Sequence, residues 1–352
     1  MNVLLVEPEK SNKYHTTYPP LGLLKLGAYH KLKGDNVLLK QGFLNSGFDP
    51  DVIYITSLFT YAYEPVHEAI KFYSERFKKA KIVVGGIYAT LCSEHLRDTF
   101  NGRIEIYKGL FEEAEDVLPD YSLVPDWDAS IIFASRGCIR KCSFCSVPIL
   151  EPEYSARESI KNLVYPGHRR IIFWDNNILA SPHIMNVLKE LKELGLEVDF
   201  NQGLDARLID EEIALSIRGL KTKVIRLAYD SIGVRESVIK SIRLLRDIGI
   251  SGRKIVTYCL YNFRDSPEDF LKRIKDLLEL GVVAYPMRYE PLEPRPKNTF
   301  VSTNWTAEQL EMVAKARRVL GYGGAFPPYD GLKKKILDAK DFESAFYLNP
   351  KK

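Results

Sequence analysis

The chain has 352 residues, of which 45% are apolar and 27% are charged, and its formal net charge is +4. This composition is typical of a folded globular protein of about two domains, and it excludes a disordered chain and a repeat array. A net charge this small does not indicate a nucleic-acid partner. The basic clusters at 315–318 and 333–335 suit solvated helix faces.

The first apolar run, Val3–Val6, meets an acid and a proline at once and has no basic leader before it. We therefore expect neither a signal peptide nor a membrane span, and we expect a cytoplasmic protein. Five cysteines, an odd number with three crowded on one loop, do not suit a disulfide framework. This agrees with a reducing compartment.

Short apolar runs alternate with amphipathic stretches over the first third of the chain. Five of them are predicted to be strands: Val3–Val6, Val37–Leu39, Val52–Ile55, Ile82–Gly86 and Ile104–Tyr107. Continuous apolar runs are typical of a parallel sheet covered on both faces. The pattern predicts an α/β fold that begins with a doubly wound, flavodoxin-like (Rossmann-like) domain over residues 1–120. Its ligand site would lie at the carboxyl ends of the strands.

A proline-punctuated stretch predicts a linker over residues 121–129, and a second strand-helix series follows over residues 130–290. Its predicted strands are 131–134, 171–174, 198–200, 224–228, 255–258 and 282–289. Helix patterns fill the gaps and end at Gly195, Gly219, Gly249 and Gly281. Six successive units predict a partial (β/α)6 barrel. Residues 291–352 are predicted to be a short, α-rich C-terminal extension, with a helix at about 306–320 and a glycine-rich loop at 321–328.

Three cysteines, Cys138, Cys142 and Cys145, lie on the loop after the first strand of the second series. That position is the carboxyl end of the predicted barrel, where active sites of parallel barrels are built. A structural zinc site needs four closed ligands, and the remaining cysteines, Cys92 and Cys259, have no ligand partner at suitable spacing. Three thiolates without a fourth suit a four-iron cluster in which one iron lacks a protein ligand.

This spacing, Cys-x3-Cys-x2-Cys with Phe144 before the last cysteine, resembles the signature of the radical S-adenosylmethionine (SAM) superfamily. The resemblance implies a [4Fe-4S] cluster whose open iron binds SAM, and reductive cleavage of SAM to methionine and a 5′-deoxyadenosyl radical. It also implies a low-potential electron donor such as flavodoxin or ferredoxin. The substrate is unknown from the sequence.

The resemblance also implies a set of looser SAM contacts at the ends of the predicted strands. Asp230 stands where many relatives have a glutamate before a serine, so its shorter side chain departs from the family pattern. Asp230 and Arg235 have the spacing of an acid and a base that bind the SAM carboxylate in some relatives. The candidate SAM-binding residues are Phe144, Asp175, Asn176, Gln202, Arg207, Asp230 and Arg235.

The first domain resembles the cobalamin-binding domain that precedes the barrel in a large radical SAM class. The candidate cobalamin contacts are Ser57, Gly85, Gly86 and Gly109. No Asp-x-His-x-x-Gly motif occurs, which removes one mode of cobalt ligation. Three interpretations stay open: cobalamin-dependent methylation of carbon, a cobalamin-independent radical SAM enzyme with the first domain as scaffold or substrate-binding domain, and a noncatalytic metal-binding or RNA-associated module.

Overall fold

The computed structural model describes residues 1–8, 18–45, 47–320 and 330–348. Within these ranges the fold is α/β, with parallel sheets and helices between their strands. None of the helices in the described ranges is both long enough and apolar enough to cross a bilayer. The predicted glycine-rich loop at 321–328 lies outside the described residues.

The first third of the chain forms a five-stranded parallel sheet in the order β2-β1-β3-β4-β5. Its strands are β1 (Asn2–Glu7), β2 (Asn36–Gln41), β3 (Val52–Ser57), β4 (Lys81–Gly86) and β5 (Glu105–Ile106). Its helices are α1 (Leu21–Leu32), α2 (Tyr63–Arg76), α3 (Ile87–Leu91) and α4 (Ser93–Phe100).

Both faces of this sheet are covered, which explains the continuous apolar run of β1. Val3 and Leu5 pack with Leu23 of α1 on one face. Leu4 and Val6 pack with residues of α2, α3 and α4 on the other. Successive side chains of a strand point to opposite faces, so every position of a doubly covered strand is apolar.

The middle of the chain contains six long parallel strands and one short edge strand in two sheets, β11-β10-β9-β6 and β12-β13-β14, which a parallel bridge from Leu204 to Leu227 connects. The strands are β6 (Ala129–Ile132), β9 (Arg170–Phe173), β10 (Glu197–Phe200), β12 (Ile225–Ala228), β13 (Ile255–Tyr261) and β14 (Val283–Arg288), with the short edge strand β11 (Lys221–Thr222). The intervening helices are α6 (Ile184–Leu194), α7 (Glu211–Arg218), α8 (Arg235–Asp247) and α9 (Pro267–Glu279). All six predicted strands of this series are confirmed within a few residues.

Helix boundaries in this series follow the capping signals of the sequence. Asp210 accepts a hydrogen bond from the backbone N–H of Ile213 at 2.9 Å and begins α7. Ser266 caps α9 in the same way. Gly195 ends α6 with a left-handed φ of 62°, which glycine adopts at no steric cost.

The six long strands present two faces of different character. The face toward α6–α9 carries Phe173, Phe200 and Leu227, which belong to the main core. The opposite face, called the inner face below, carries Ile131 and Ile172 near the beginning of α1. Because side chains alternate along a strand, Asp199 and Arg226 lie on the inner face as well.

The C-terminal extension packs on the helical side of the six strands. It contains α10 (Ala307–Leu320), α11 (Asp330–Asp338) and α12 (Phe342–Phe346). Phe270 of α9 contacts Trp305, with 5.8 Å between ring centroids, and Phe346, with 5.6 Å. The described part of the extension therefore adds to the main core.

Candidate functional site

The cysteine loop is held between two short antiparallel strands, β7 (Ser135–Arg136) and β8 (Ser155–Ala156). Gly137 begins the loop with a φ of 70°, and a Cβ there would lie 2.1 Å from the carbonyl oxygen of Glu153. Only glycine fits this position. The Glu151 carboxylate closes the loop, because it accepts hydrogen bonds from the Gly137 N–H at 2.6 Å and from Arg136 at 3.1 Å.

The three thiols of the loop are partly buried, and those of Cys138 and Cys145 accept hydrogen bonds. The Arg140 N–H donates to Cys138 Sγ at 3.3 Å, and the Val147 N–H donates to Cys145 Sγ at 3.5 Å. Burial raises the pKa of Cys142 and Cys145, and the neighbouring thiols raise it further. Arg207 opposes the rise at Cys142. Once ionised, the three thiolates would repel one another. A cation bound by all three would offset this repulsion.

No three His, Cys, Asp or Glu side chains within the described ranges lie close enough to hold a metal ion. The chemistry of the loop nevertheless fits an iron-sulfur cluster. It offers three thiols on one short segment, and backbone N–H groups donate to the sulfurs of Cys138 and Cys145. Cys92 and Cys259 are buried and offer no fourth ligand.

Asp175 follows β9 and anchors the strand that leads into the cysteine loop. Its side chain is 2% exposed. It accepts hydrogen bonds from the Ala134 N–H at 3.1 Å and from the N–H and hydroxyl of Ser135 at 2.5 and 2.7 Å. Burial raises the pKa of Asp175 to about 6. These contacts give the predicted SAM ligand a positioning role at the base of the loop.

Asn177 and Asp205 were not among the predicted residues, yet they contact the cysteine loop directly. The Asn177 amide donates to Cys138 Sγ at 3.7 Å and to Asp205 at 3.2 Å. Asp205 also accepts from Arg140 at 3.0 Å. Both residues lie on the loops that follow predicted strands, where an amide or carboxylate is a signal that could have identified them.

Arg207 lies near the thiols but is paired with its own neighbour. Its Nε donates to Asp205 Oδ1 at 2.6 Å and its Nη2 to Asp205 Oδ2 at 3.0 Å. Burial lowers the pKa of Arg207, but Asp205 and the thiols of Cys142 and Cys138 outweigh it and raise the pKa overall. Asp205 therefore takes two guanidinium donors of Arg207 that were predicted to bind a SAM carboxylate. The Arg207 side chain nevertheless remains 36% exposed.

Asp230 lies two residues after the end of β12, and its charge acts on Cys142 and Cys145. Burial raises the pKa of Asp230 to about 6, while Arg273 and Arg207 oppose the rise. Arg273 is fully buried and donates at 2.7 Å to the carbonyl oxygens of Tyr229 and Leu260. Arg273 thereby fixes the backbone on which Asp230 stands.

The remaining predicted SAM residues are less closely associated with the thiols. Arg235 makes a bidentate pair with Asp276, at 2.8 and 2.6 Å, and so connects α8 to α9. Asn176 donates to Glu151 at 3.0 Å. Gln202 is exposed and donates to Asn201 at 3.3 Å. The role in SAM binding that the spacing of Asp230 and Arg235 implied stays a prediction.

Phe144 connects the cysteine loop to the ends of the last two strands. It contacts Phe263 edge to face, with 5.8 Å between centroids. Phe263 contacts Tyr289 at 4.7 Å, and Tyr289 contacts Phe300 at 5.6 Å. Phe144 thus begins a row of four aromatic rings that the sequence did not predict.

The predicted cobalamin residues lie at the carboxyl edge of the first sheet, where Ser57 contacts Gly85 and Gly86 while Gly109 contacts Thr90. The Ser57 hydroxyl donates to the Gly85 carbonyl at 2.6 Å. Gly86 has a φ of 99°, and a Cβ there would lie 2.3 Å from the Ser57 carbonyl. The Gly109 N–H donates to Thr90 at 3.0 Å.

Residues 291–297, called the strap below, cover part of this edge. The Cys92 thiol donates to the Leu292 carbonyl at 3.3 Å, and the Thr60 hydroxyl donates to the Pro291 carbonyl at 3.5 Å. The Lys297 ammonium lies 4.9 Å from the centroid of the Tyr61 ring. The strap lies where a corrin at this edge would have to bind, so these residues do not fit cobalamin there.

Comparisons with known proteins give little further information. No protein-family model matches the chain, and no curated protein matches it. Among solved structures the chain is similar to the crystal structure of Streptococcus suis SuiB bound to S-adenosylmethionine, with 14% sequence identity and a TM-score of 0.36. The similarity covers 67% of this chain, and the chain spans about half of the other protein, 55%. A likeness at this level carries no argument about fold or function.

Proposed function

We propose that the protein is a radical SAM enzyme. The observation that carries the proposal is the loop with Cys138, Cys142 and Cys145 at the carboxyl end of β6, beside Arg207 and Asp230. When bound, a [4Fe-4S] cluster would supply the electron that cleaves SAM to methionine and a 5′-deoxyadenosyl radical. The reducing electrons would come from a low-potential protein such as flavodoxin or ferredoxin, in the cytoplasm.

The chain's own residues would hold and orient these groups. The three thiolates would bind three irons, and Glu151 and Asp175 would keep the loop in place through their backbone hydrogen bonds. Asp230 would bind polar groups of SAM, and so would Arg207 through the guanidinium N–H groups that do not donate to Asp205, because these are the predicted SAM residues whose charges reach the thiols. The row of rings that begins at Phe144 would exclude water from that side.

The architecture supports the proposal. The strand order β2-β1-β3-β4-β5 is the flavodoxin-like order, which favours that fold for the first domain. Six successive parallel strands with outer helices favour a partial (β/α)6 barrel for the second. In such barrels the carboxyl ends of the strands carry the active site.

The first domain favours the scaffold alternative over cobalamin-dependent methyl transfer, because the strap covers part of the edge at which a corrin would bind. We expect no binding of hydroxocobalamin by the anaerobically reconstituted protein. Gel filtration followed by an optical spectrum would measure it, with free hydroxocobalamin as the reference. Coelution of about one corrinoid per chain would restore the methyltransferase interpretation.

The cluster can be tested by metal analysis after anaerobic reconstitution. We expect about four irons and four sulfides per chain. Cys142→Ser would lose most of this iron, whereas Cys92→Ser would keep it, since Cys92 only donates to a backbone carbonyl. Stoichiometric zinc without sulfide would contradict the proposal and favour the noncatalytic metal-binding module.

A further inference from the structure

A cavity of about 180 Å³ lies at the amino ends of β9 and β10, the end of the strands opposite to the cysteine loop. Its lining includes Tyr18, Trp127, Arg170, Ile172, Glu197 and Asp199. A cavity of about 150 Å³ holds one benzene molecule, so this one has room for a single ring with a small substituent.

Aromatic and aliphatic side chains form the walls of this cavity. The Tyr18 ring meets Trp127 edge to face, with 5.8 Å between centroids and 68° between planes. It also meets Trp174 at 5.7 Å and 81°. Flat walls of this kind favour a planar guest over a branched aliphatic one.

The charges around the cavity are already paired with protein partners. Arg170 donates to Asp128 at 3.1 and 2.6 Å, and Lys223 lies 2.8 Å from Glu197. A bound molecule therefore needs no net charge to balance the charged side chains around the cavity. A neutral guest avoids the cost of taking an ion out of water.

Asp199 is the side chain that can accept hydrogen bonds from the polar edge of a bound ring. Arg226 donates to Asp199 Oδ1 through Nη1 and to Oδ2 through Nη2, the latter at 3.4 Å. A carboxylate has about four acceptor sites, so one contact on each oxygen leaves capacity for two more. The side chain remains 25% exposed and faces the cavity.

We propose that this cavity is a binding site for a neutral planar ring with a hydrogen-bond donor edge, of the aminopyrimidine type, whose donors meet Asp199. The site is separate from the cysteine loop and depends neither on a cluster nor on SAM. Its ring would lie against Ile172 and Trp127, and its amino group would take the free acceptor sites of Asp199.

The test uses 2-aminopyrimidine and pyrimidine, two rings that differ in the amino group. Titration is followed by the indole N–H signals of the ¹⁵N-labelled full chain. We expect 2-aminopyrimidine to shift the Trp127 signal with a dissociation constant on the order of 1 mM. The signal of Trp305, which lies on α9's side of the strands, would not move. Pyrimidine would bind about tenfold more weakly, because it lacks the donor.

Matched variants separate recognition from folding. Asp199→Ala should weaken 2-aminopyrimidine about tenfold, and Glu193→Ala, a change of an exposed carboxylate on α6, should not alter it. A protein with all three loop cysteines changed to serine should bind equally, so failure of the radical SAM proposal would leave this result intact. No Trp127 shift at about 10 mM ligand, or equal binding of both rings by the unchanged chain, would overturn the proposal.

Discussion

Single carboxylates determine how the cysteine loop is presented. Asp175 binds the backbone before the loop, Glu151 binds the backbone at its first residue, and Asp205 binds the arginine between two of its cysteines. A carboxylate that accepts hydrogen bonds from backbone N–H groups holds that part of the backbone in position. The same hydrogen bonds stabilise the charged form of the carboxylate. The loop therefore depends on acids that need not touch the reacting atoms.

Asp175 makes the stability of the protein depend on pH. Its pKa is about 6 in the folded chain and 3.8 in its ordinary state. Since the folded chain holds this proton more tightly, stability is greatest below the ordinary pKa and falls as pH rises through about 6. A shift of this size corresponds to about 3 kcal/mol.

We expect Asp175→Asn to abolish this decline, although it also loses hydrogen bonds at every pH. Thermal unfolding between pH 4 and pH 7 would measure the difference between the two proteins, with the exposed change Asp98→Asn as control. The pKa of Asp230 is raised in a similar way, but Asp230 is present in both proteins. Its contribution to the pH dependence of stability therefore cancels in the comparison. Parallel pH profiles for the wild type and Asp175→Asn would contradict the expectation.

At the scale of elements, ion pairs between residues far apart in the chain determine which of the predicted residues lie at the site. Arg235 and Asp276 are 41 residues apart and join α8 to α9, with the Tyr229 hydroxyl also donating to Asp276 at 2.8 Å. No local pattern in the sequence predicts such a pair, because it depends on how two helices pack. Strand and helix positions could be predicted, since apolar periodicity and caps such as Asp210 are local signals.

Arg235→Ala distinguishes the interhelical pair from a SAM contact. We expect a lower free energy of unfolding, because the buried Asp276 would keep only the Tyr229 hydroxyl as a partner. The KM for SAM should change less than about twofold. Arg243→Ala, an exposed change on the same helix, should affect neither quantity. A large rise in KM with unchanged stability would instead support the role implied by the family resemblance.

At the scale of the molecule, the first domain and the six-stranded unit meet at the cysteine loop. Arg136 donates to Glu115 at 2.7 Å, and Lys25 of α1 donates to the same carboxylate at 2.9 Å. Burial raises the pKa of Glu115, but Arg136 and Lys25 outweigh it and lower the pKa overall. The strap makes a second connection, to the carboxyl edge of the first sheet. The three cysteines were evident from spacing alone, whereas these long-range contacts required the folded chain.

Reductive cleavage of SAM tests the central claim most directly. The reconstituted protein, incubated anaerobically with SAM and dithionite, should form 5′-deoxyadenosine and methionine in equal amounts, as measured by chromatography. Cys142→Ser should reduce this product to background, and Cys92→Ser should form it at the wild-type rate. Absence of 5′-deoxyadenosine from protein that holds a full complement of iron and sulfide would contradict the proposed function, as would unchanged formation by Cys142→Ser.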